Sequence, residues 1–152
     1  MILLEYLELS IRLAVNLHAG QFDKAGKPYI LHPLRVMNNV NTIEEKIVGV
    51  LHDTIEDTEL TLDELENLFG FPSNIVEAVN LLTKEKDVSY KEYILKIKNN
   101  ELARVVKLAD MRDNSDLFRL HEVEEKHLKM IKKYHWGMKQ LRDDNKYLTS
   151  YK

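Results

Sequence analysis

The stretch IVGVLHDTIED, Ile47 to Asp57, decides the fold and points to the chemistry of this sequence. An apolar run is followed directly by one imidazole and three carboxylates, so we predict one helix from about Ile43 through Asp57. On that helix the four polar residues share one face, within an arc of about 140°: His52, Asp53, Glu56 and Asp57. At the end of a buried run these groups would repel one another and lose their hydration. A divalent cation removes that conflict, because its charge favours ionised carboxylates and a neutral imidazole.

The segment before this stretch also has helical periodicity. The first helix should end near Gly20, and its inward residues follow at steps of four, three and four: Leu7, Ile11, Ala14 and His18. Residues 21–31 contain turn-forming residues and are predicted as a loop. Pro33 suits the first turn of a second helix, because its missing N–H has no helical partner there, and this places His32 at the helix start.

The segment after the central stretch predicts further helices. Two capping-box patterns open two of these helices, Thr61 with Glu64 and Ser89 with Glu92. The first of the two helices is predicted to end at Gly70. Apolar spacing marks other helices near residues 75–82 and 102–109, and the last helix has a long inward stripe: Leu128, Ile131, His135, Met138 and Leu141. The sequence therefore predicts an all-α bundle of about seven or eight helices, in a single domain spanning residues 1–152.

Composition excludes several classes of function. The 152 residues include 22 Lys and Arg against 25 Asp and Glu, a net charge of -3, which argues against a nucleic-acid binder with a broad basic surface. There is no cysteine, so disulfides and thiolate ligands are absent. No stretch has the roughly 18 apolar residues of a membrane span, and no signal peptide is evident. We therefore expect a cytoplasmic protein with no membrane or nucleic-acid partner, and its oligomeric state is left open.

Two distant residues complete the predicted metal site. His32 is a plausible third ligand beside His52 and Asp53, and Asp110, which ends the apolar run before it, is the best fourth. Two imidazoles and two carboxylates suit Mn²⁺, Fe²⁺ or Zn²⁺ better than Ca²⁺. Such an ion would lower the pKa of a water molecule and make it a nucleophile.

Other polar residues are candidates for roles around that site. Glu56 and Asp57 lie one turn beyond the metal pair, where a carboxylate can accept or donate a proton. Lys107, Asp110 and Asn114 share a helix face, so that the lysine and the asparagine are predicted to contact phosphate or hydroxyl oxygens. The remaining histidines divide into two groups. His18 and His135 are as suited to a hydrogen-bonded core position as to a functional one, whereas His121 and His127 are expected on the surface.

Several motifs in order resemble one family. The first motif comprises His18-Ala-Gly-Gln21 and Lys24 to Pro33, and the second is Leu51 to Thr58. Phe69-Gly70, Leu82-Thr83-Lys84 and Lys107-Leu108-Ala109-Asp110 continue the series. Together they resemble the hydrolase domains of RelA/SpoT-type alarmone enzymes over roughly residues 5–117, and the length is similar to that of the small stand-alone hydrolases.

The resemblance implies an HD-domain helical bundle that binds one Mn²⁺. The ligands it implies are His32, His52, Asp53 and Asp110. It further implies hydrolysis of the 3′-pyrophosphate of guanosine tetra- or pentaphosphate. Residues matching Glu56 and Asp57 would assist the attacking water, while those matching Lys24 and Asn114 would contact the nucleotide.

One departure from that family keeps alternative functions open. Asp23 stands where these hydrolases usually carry an arginine that packs on guanine, and an acidic group cannot supply that cation–π contact. The first alternative is a phosphatase or nucleotidase of the same class acting on another nucleotide or small phosphate ester. The second, of a different class, is a nucleotide-binding module without turnover.

Overall fold

A computed structural model describes residues 1–142, and residues 143–152 of the predicted domain lie outside the described part. Eight α-helices occur within residues 1–142, and no β-strand does. Their bounds are α1 Leu3–Leu17, α2 Leu31–Asn38, α3 Ile43–Leu51, α4 Thr54–Asp57, α5 Ser73–Leu82, α6 Tyr90–Lys98, α7 Glu101–Asn114 and α8 Glu125–Leu141. A π-helical turn at Glu64–Leu68 lies between α4 and α5, and a 3₁₀ turn at Leu117–Arg119 lies between α7 and α8. The predicted all-α bundle is confirmed, and none of the described helices is long and apolar enough to cross a membrane.

Helix α3 lies at the centre of the bundle, with α1, α2, α5 and α7 packed around it. Its last five residues, Ile47 to Leu51, are fully or almost fully buried. Gly49 permits this close packing, because a Cβ atom there would lie 3.3 Å from the Cα atom of Met37 on α2. Burying each large aliphatic side chain of such a core contributes about 1.5–3 kcal/mol. The apolar run therefore fixes α3, and with it the position of the polar residues that follow.

Two capping predictions are confirmed in detail. The side chains of Thr61 and Glu64 each accept a backbone N–H from the other residue, and the chain then turns at Gly70, whose φ of 70° favours glycine. Ser89 accepts the backbone N–H of Glu92 at the start of α6. Local side-chain chemistry therefore sets these helix starts.

The prediction of one continuous helix from Ile43 through Asp57 is wrong. Helix α3 ends at Leu51, and α4 begins at Thr54 after a break at His52 and Asp53. The hydroxyl of Thr54 donates to the carbonyl oxygen of Leu51 at 2.7 Å, so a side chain satisfies the carbonyl that the broken helix leaves free. The face shared by four residues of one regular helix therefore does not exist, and the break itself orients the polar groups.

The predicted inward face of the last helix is also partly wrong. Leu128 is 43% exposed and His135 is exposed, whereas His127, Gly137 and Leu141 are buried. The exposed position predicted for His127 is therefore wrong as well. At Gly137 a Cβ atom would lie 2.8 Å from the Tyr90 hydroxyl oxygen, so α8 approaches α6 along its smallest residue rather than its most apolar stripe.

Candidate metal centre

Four side chains from three regions of the bundle converge on one point. His32 comes from the first turn of α2, His52 and Asp53 come from the break after α3, and Asp110 comes from α7. The His32 Nε2 atom lies 2.9 Å from the Asp110 Oδ1 atom and 3.6 Å from the Asp53 Oδ2 atom. The His52 Nε2 atom lies 3.4 Å from the Asp110 Oδ1 atom and 2.9 Å from the Asp53 Oδ2 atom. The predicted quartet is therefore together in space, although its members are up to 78 residues apart in the chain (110 − 32).

The far nitrogen of each imidazole fixes the direction of the near one. His52 Nδ1 donates to the carbonyl oxygen of Gly49 at 2.6 Å, and His32 Nδ1 donates to Asp113 Oδ2 at 2.6 Å. Each Nε2 is then the nitrogen whose lone pair faces the cluster. A ligating histidine commonly makes this second hydrogen bond, which sets both its tautomer and its orientation.

The donor set fits a divalent cation. One ligating atom each from His32, His52 and Asp53 lies within 4.8 Å of the others, and Asp110 approaches both imidazoles. His52 Nε2 is buried and has no hydrogen-bond partner, although carboxylate oxygens lie nearby. A buried nitrogen of this kind is costly unless something else satisfies it, and a metal ion among these atoms would do so.

The electrostatics of the cluster favour positive charge at its centre. Burial alone would lower the pKa of His32 and His52, but the surrounding carboxylates outweigh it and raise the pKa of both. Burial would raise the pKa of Asp53, and His52 reverses this, so that its pKa is lowered. For Asp110, Lys107 reverses the effect of burial and holds the pKa well below its usual range.

Three further side chains hold the two carboxylates in place. The Tyr29 hydroxyl donates to Asp53 Oδ2, and Asn114 Nδ2 donates to Asp110 Oδ1 at 2.9 Å. The Lys107 ammonium forms a 2.7 Å ion pair with Asp110 Oδ2. This partner differs from the phosphate that the sequence predicted for the lysine.

Glu56 and Asp57 lie on the exposed surface of α4, beside Asp53. One carboxylate oxygen from each of the three residues lies within 4.8 Å of the others. Glu56 Oε1 accepts the backbone N–H of Lys84 at 2.8 Å, which ties α4 to the end of α5. Although Asp57 lies at the surface, partial burial of its carboxyl group and the carboxylates of Asp53 and Glu56 raise its pKa to about 6. Both predicted proton-transfer residues are therefore near the cluster.

A pocket of about 330 Å³ lies next to the cluster and shares His32, Tyr29 and Asn114 with it. Lys24 and Asp23 from the loop before α2 also line it, whereas Lys107 is not among its lining residues. The Asp23 Oδ1 atom accepts the backbone N–H groups of Ala25 and Lys27, both at 2.9 Å. Asp23 therefore has a structural role in this loop, and it supplies no positive charge to the pocket.

Two residues of the site, Asp113 and Tyr29, were not predicted from the sequence, and the role of His18 was left open. Asp113 orients His32 and lies three residues after Asp110 on α7. This spacing was the available sequence signal for its role, because it places both carboxylates on one helix face. Tyr29 lies within the first motif but had no assigned partner. His18 is buried, and its Nδ1 atom donates to the Gln21 Oε1 atom at 2.8 Å. Its ring centre lies 5.1 Å from that of Tyr29, and burial lowers its pKa.

Comparisons with known proteins identify relatives of this chain. The chain is 32% identical over 120 residues to the guanosine-3′,5′-bis(diphosphate) 3′-pyrophosphohydrolase of Aquifex aeolicus, covering 72% of this chain and 17% of the relative. It is 36% identical over 117 residues to a GTP pyrophosphokinase of Myxococcus xanthus, and the match covers 66% of this chain and 16% of that relative. The chain thus spans about a sixth of the length of these relatives.

A solved structure confirms the fold. A metazoan ortholog of SpoT, described as hydrolysing ppGpp with a role in starvation responses, superposes with a TM-score of 0.77 at 21% identity. The match covers 91% of this chain and 86% of that one. No protein-family profile matches the chain.

Proposed function

Because the chain belongs to the RelA/SpoT-type HD hydrolase domains, we propose that it is a metal-dependent phosphohydrolase acting on a nucleotide. The preferred reaction is hydrolysis of the 3′-pyrophosphate of guanosine tetra- or pentaphosphate or a related nucleotide. The observation that carries this proposal is the convergence of two oriented imidazoles, one buried carboxylate and one half-buried carboxylate at the edge of a nucleotide-sized pocket.

His32, His52, Asp53 and Asp110 would hold the metal, and Mn²⁺ suits their mixture of nitrogen and oxygen donors. When bound, the ion supplies positive charge that lowers the pKa of the attacking water and offsets the charge of the phosphate. Tyr29 and Asn114 keep the two carboxylates in position through their hydrogen bonds. We assign Lys107 to balancing the charge of Asp110, since its ammonium is already committed to that carboxylate.

Glu56 and Asp57 are the proposed proton-transfer residues. In hydrolysis the water oxygen bonds to the phosphorus attached to the ribose 3′-oxygen, and the bond from that phosphorus to the 3′-oxygen breaks. A carboxylate accepts the proton that the water loses, and the 3′-oxygen gains a proton as it leaves. The products are pyrophosphate and a guanosine 5′-di- or triphosphate, whose remaining contacts would come from Lys24 and Asn114 in the pocket.

A substrate panel with Mn²⁺ tests the proposal, with pyrophosphate and orthophosphate measured separately. Pyrophosphate from guanosine 3′,5′-bis(diphosphate) is the expected result. Orthophosphate from simple nucleotides would instead place the chain among phosphatases of the same class. No release of either product across the panel would contradict hydrolysis and favour the nucleotide-binding module.

The second candidate, a phosphatase or nucleotidase for another phosphate ester, is favoured by Asp23. Its carboxylate lines the pocket and is held by the amides of its own loop. A guanidinium that would stack on guanine is therefore missing from this position. A panel in which adenine and guanine nucleotides are hydrolysed equally would support this candidate.

A further inference from the structure

Arg35 on α2 presents unused donors to the pocket. Its Nε atom donates to Asp113 Oδ1 at 2.8 Å, so the carboxylate fixes the guanidinium through one of its three nitrogens. Within residues 1–142, the terminal nitrogens of Arg35, which carry four N–H groups, have no hydrogen-bond partner. The side chain is 32% exposed and lines the pocket. A fixed guanidinium fork with free donors is the geometry that binds phosphate in a bidentate manner.

Two other donors line the same pocket. Both terminal nitrogens of Arg119 are committed to Asp113 and Asp116, the shortest bond being 2.6 Å to the Asp113 carbonyl oxygen, so Arg119 contributes positive charge and its Nε–H donor to the pocket. His127 accepts the backbone N–H of Glu124 through Nδ1 at 2.9 Å, so Nε2 carries the ring proton of the neutral imidazole. This buried histidine therefore adds an N–H donor to the side of the pocket that Arg35 and Arg119 line, and these three residues form what we call the wall of the pocket.

This wall is separate from the place where the scissile phosphate would lie. Asp113 lies between the two, since one of its oxygens bonds to His32 and the other bonds to Arg35. His32 contacts the metal cluster with its opposite nitrogen. One phosphate at the cluster cannot also occupy the guanidinium fork, because an imidazole ring and a carboxylate separate them.

We propose that Arg35, assisted by Arg119 and His127, forms a second phosphate subsite that binds the 5′-phosphates of a doubly phosphorylated nucleotide while its 3′-pyrophosphate is cleaved. The inference rests on the proposed function and specifies its substrate class. Besides anchoring Arg119, the Asp113 carboxylate bonds to the metal-binding histidine His32 and to Arg35. Its carboxylate therefore fixes the spacing between the two phosphate positions.

The test compares two substrates in the Arg35→Gln variant. The measured quantity is kcat/KM for guanosine 3′,5′-bis(diphosphate) divided by kcat/KM for guanosine 3′-diphosphate, which has no 5′-phosphate. We expect the ratio to fall about tenfold, which corresponds to about 1.4 kcal/mol and lies near the value of a charge-assisted hydrogen bond. Arg12→Gln, at an exposed position of α1, is the matched control and should leave the ratio unchanged.

A ratio for Arg35→Gln within threefold of the wild-type ratio overturns the subsite. If this variant fails to fold, Arg35→Lys keeps a cation beside Asp113 but removes the fork, and the same threefold limit applies to it. Calorimetric binding of GDP and guanosine, which requires no turnover, separates this inference from the proposed function. Should the wild type release no pyrophosphate while Arg35→Gln weakens GDP binding more than threefold relative to guanosine, the subsite stands and the hydrolase is wrong. If the wild type releases pyrophosphate and Arg35→Gln leaves the kcat/KM ratio of the two substrates unchanged, the hydrolase stands and the subsite is wrong.

Discussion

Glu56 shows how one side chain on a short helix can serve both structure and chemistry. Its Oε1 atom accepts the Lys84 backbone N–H, which fixes the carboxylate relative to the end of α5. Its other oxygen has no hydrogen-bond partner within residues 1–142, and one oxygen of the Glu56 carboxylate lies within 4.8 Å of an oxygen of Asp53 and of Asp57. The carboxylate is therefore held beside the metal cluster without being one of the four proposed ligands.

Glu56→Gln should separate these two roles. The amide oxygen of glutamine can still accept the Lys84 N–H, so that the fold and the metal content should match the wild type. The rate of pyrophosphate release should fall about 10²–10⁴-fold, because an amide cannot accept a proton. Measurements of turnover and of bound metal check both parts, with the exposed Glu59→Gln as control. Turnover at the wild-type rate would show that Glu56 has no part in proton transfer.

Helices α2 and α7 are joined at the site through Asp113. This buried residue of α7 bonds to both His32 and Arg35 of α2, and the bonds from these two residues outweigh burial and lower its pKa to about 2. It is thus an anion that holds a metal ligand and a pocket arginine from the neighbouring helix. The position of α2 relative to α7 therefore controls the direction of the His32 imidazole.

Asp113→Asn should weaken metal binding. The amide oxygen can still accept from His32 Nδ1, but the negative charge that strengthens the imidazole as a ligand is lost. Removal of such a partner typically costs about 10–100-fold in metal affinity. Titration with Mn²⁺ measures the dissociation constant directly, and the exposed Asp87→Asn serves as the control. Equal affinity in the variant and the wild type would leave Asp113 without a role in the metal site.

At this scale the sequence predicts helix starts well and helix interruptions poorly. The Thr61 and Ser89 caps are local, so their residues alone determine them. The break at His52 and Asp53 has no glycine or proline to mark it, and the Thr54 hydroxyl bond to the Leu51 carbonyl oxygen accompanies it. Likewise, the burial of His127 follows from how α8 packs, which its periodicity does not show.

The whole molecule brings together groups that the sequence separates. His32, His52 with Asp53, and Asp110 lie in three regions that only the packing around α3 unites. The four positions were predictable because His52, Asp53 and Asp110 follow apolar runs, the fourth residue precedes a proline at a helix start, and all four match motifs of the family. The role of Arg35 was not predictable, because its contact with Asp113 crosses 78 positions (113 − 35) and leaves no local pattern. Metal binding should therefore stabilise the folded chain as a whole, since unfolding disperses the ligands.

A divalent metal should raise the melting temperature. At a free Mn²⁺ concentration about 100 times the dissociation constant, the free energy of unfolding should increase by about 2.7 kcal/mol. For a chain of this size that corresponds to a rise of about 5–10 °C. Thermal unfolding with Mn²⁺ and with a chelator measures the difference, and a shift below about 2 °C would contradict a site that ties three regions of the fold together.

The most direct test of the metal centre is the number of Mn²⁺ ions bound per chain, measured by titration of the wild type and of Asp53→Ala. Asp53 makes no side-chain capping bond to α4, so its removal should leave the helices intact, as circular dichroism can verify. We predict one Mn²⁺ per wild-type chain, and no tightly bound ion and no turnover for the folded variant. An Asp53→Ala protein that binds one Mn²⁺ with wild-type affinity would contradict the assignment of the four-ligand site.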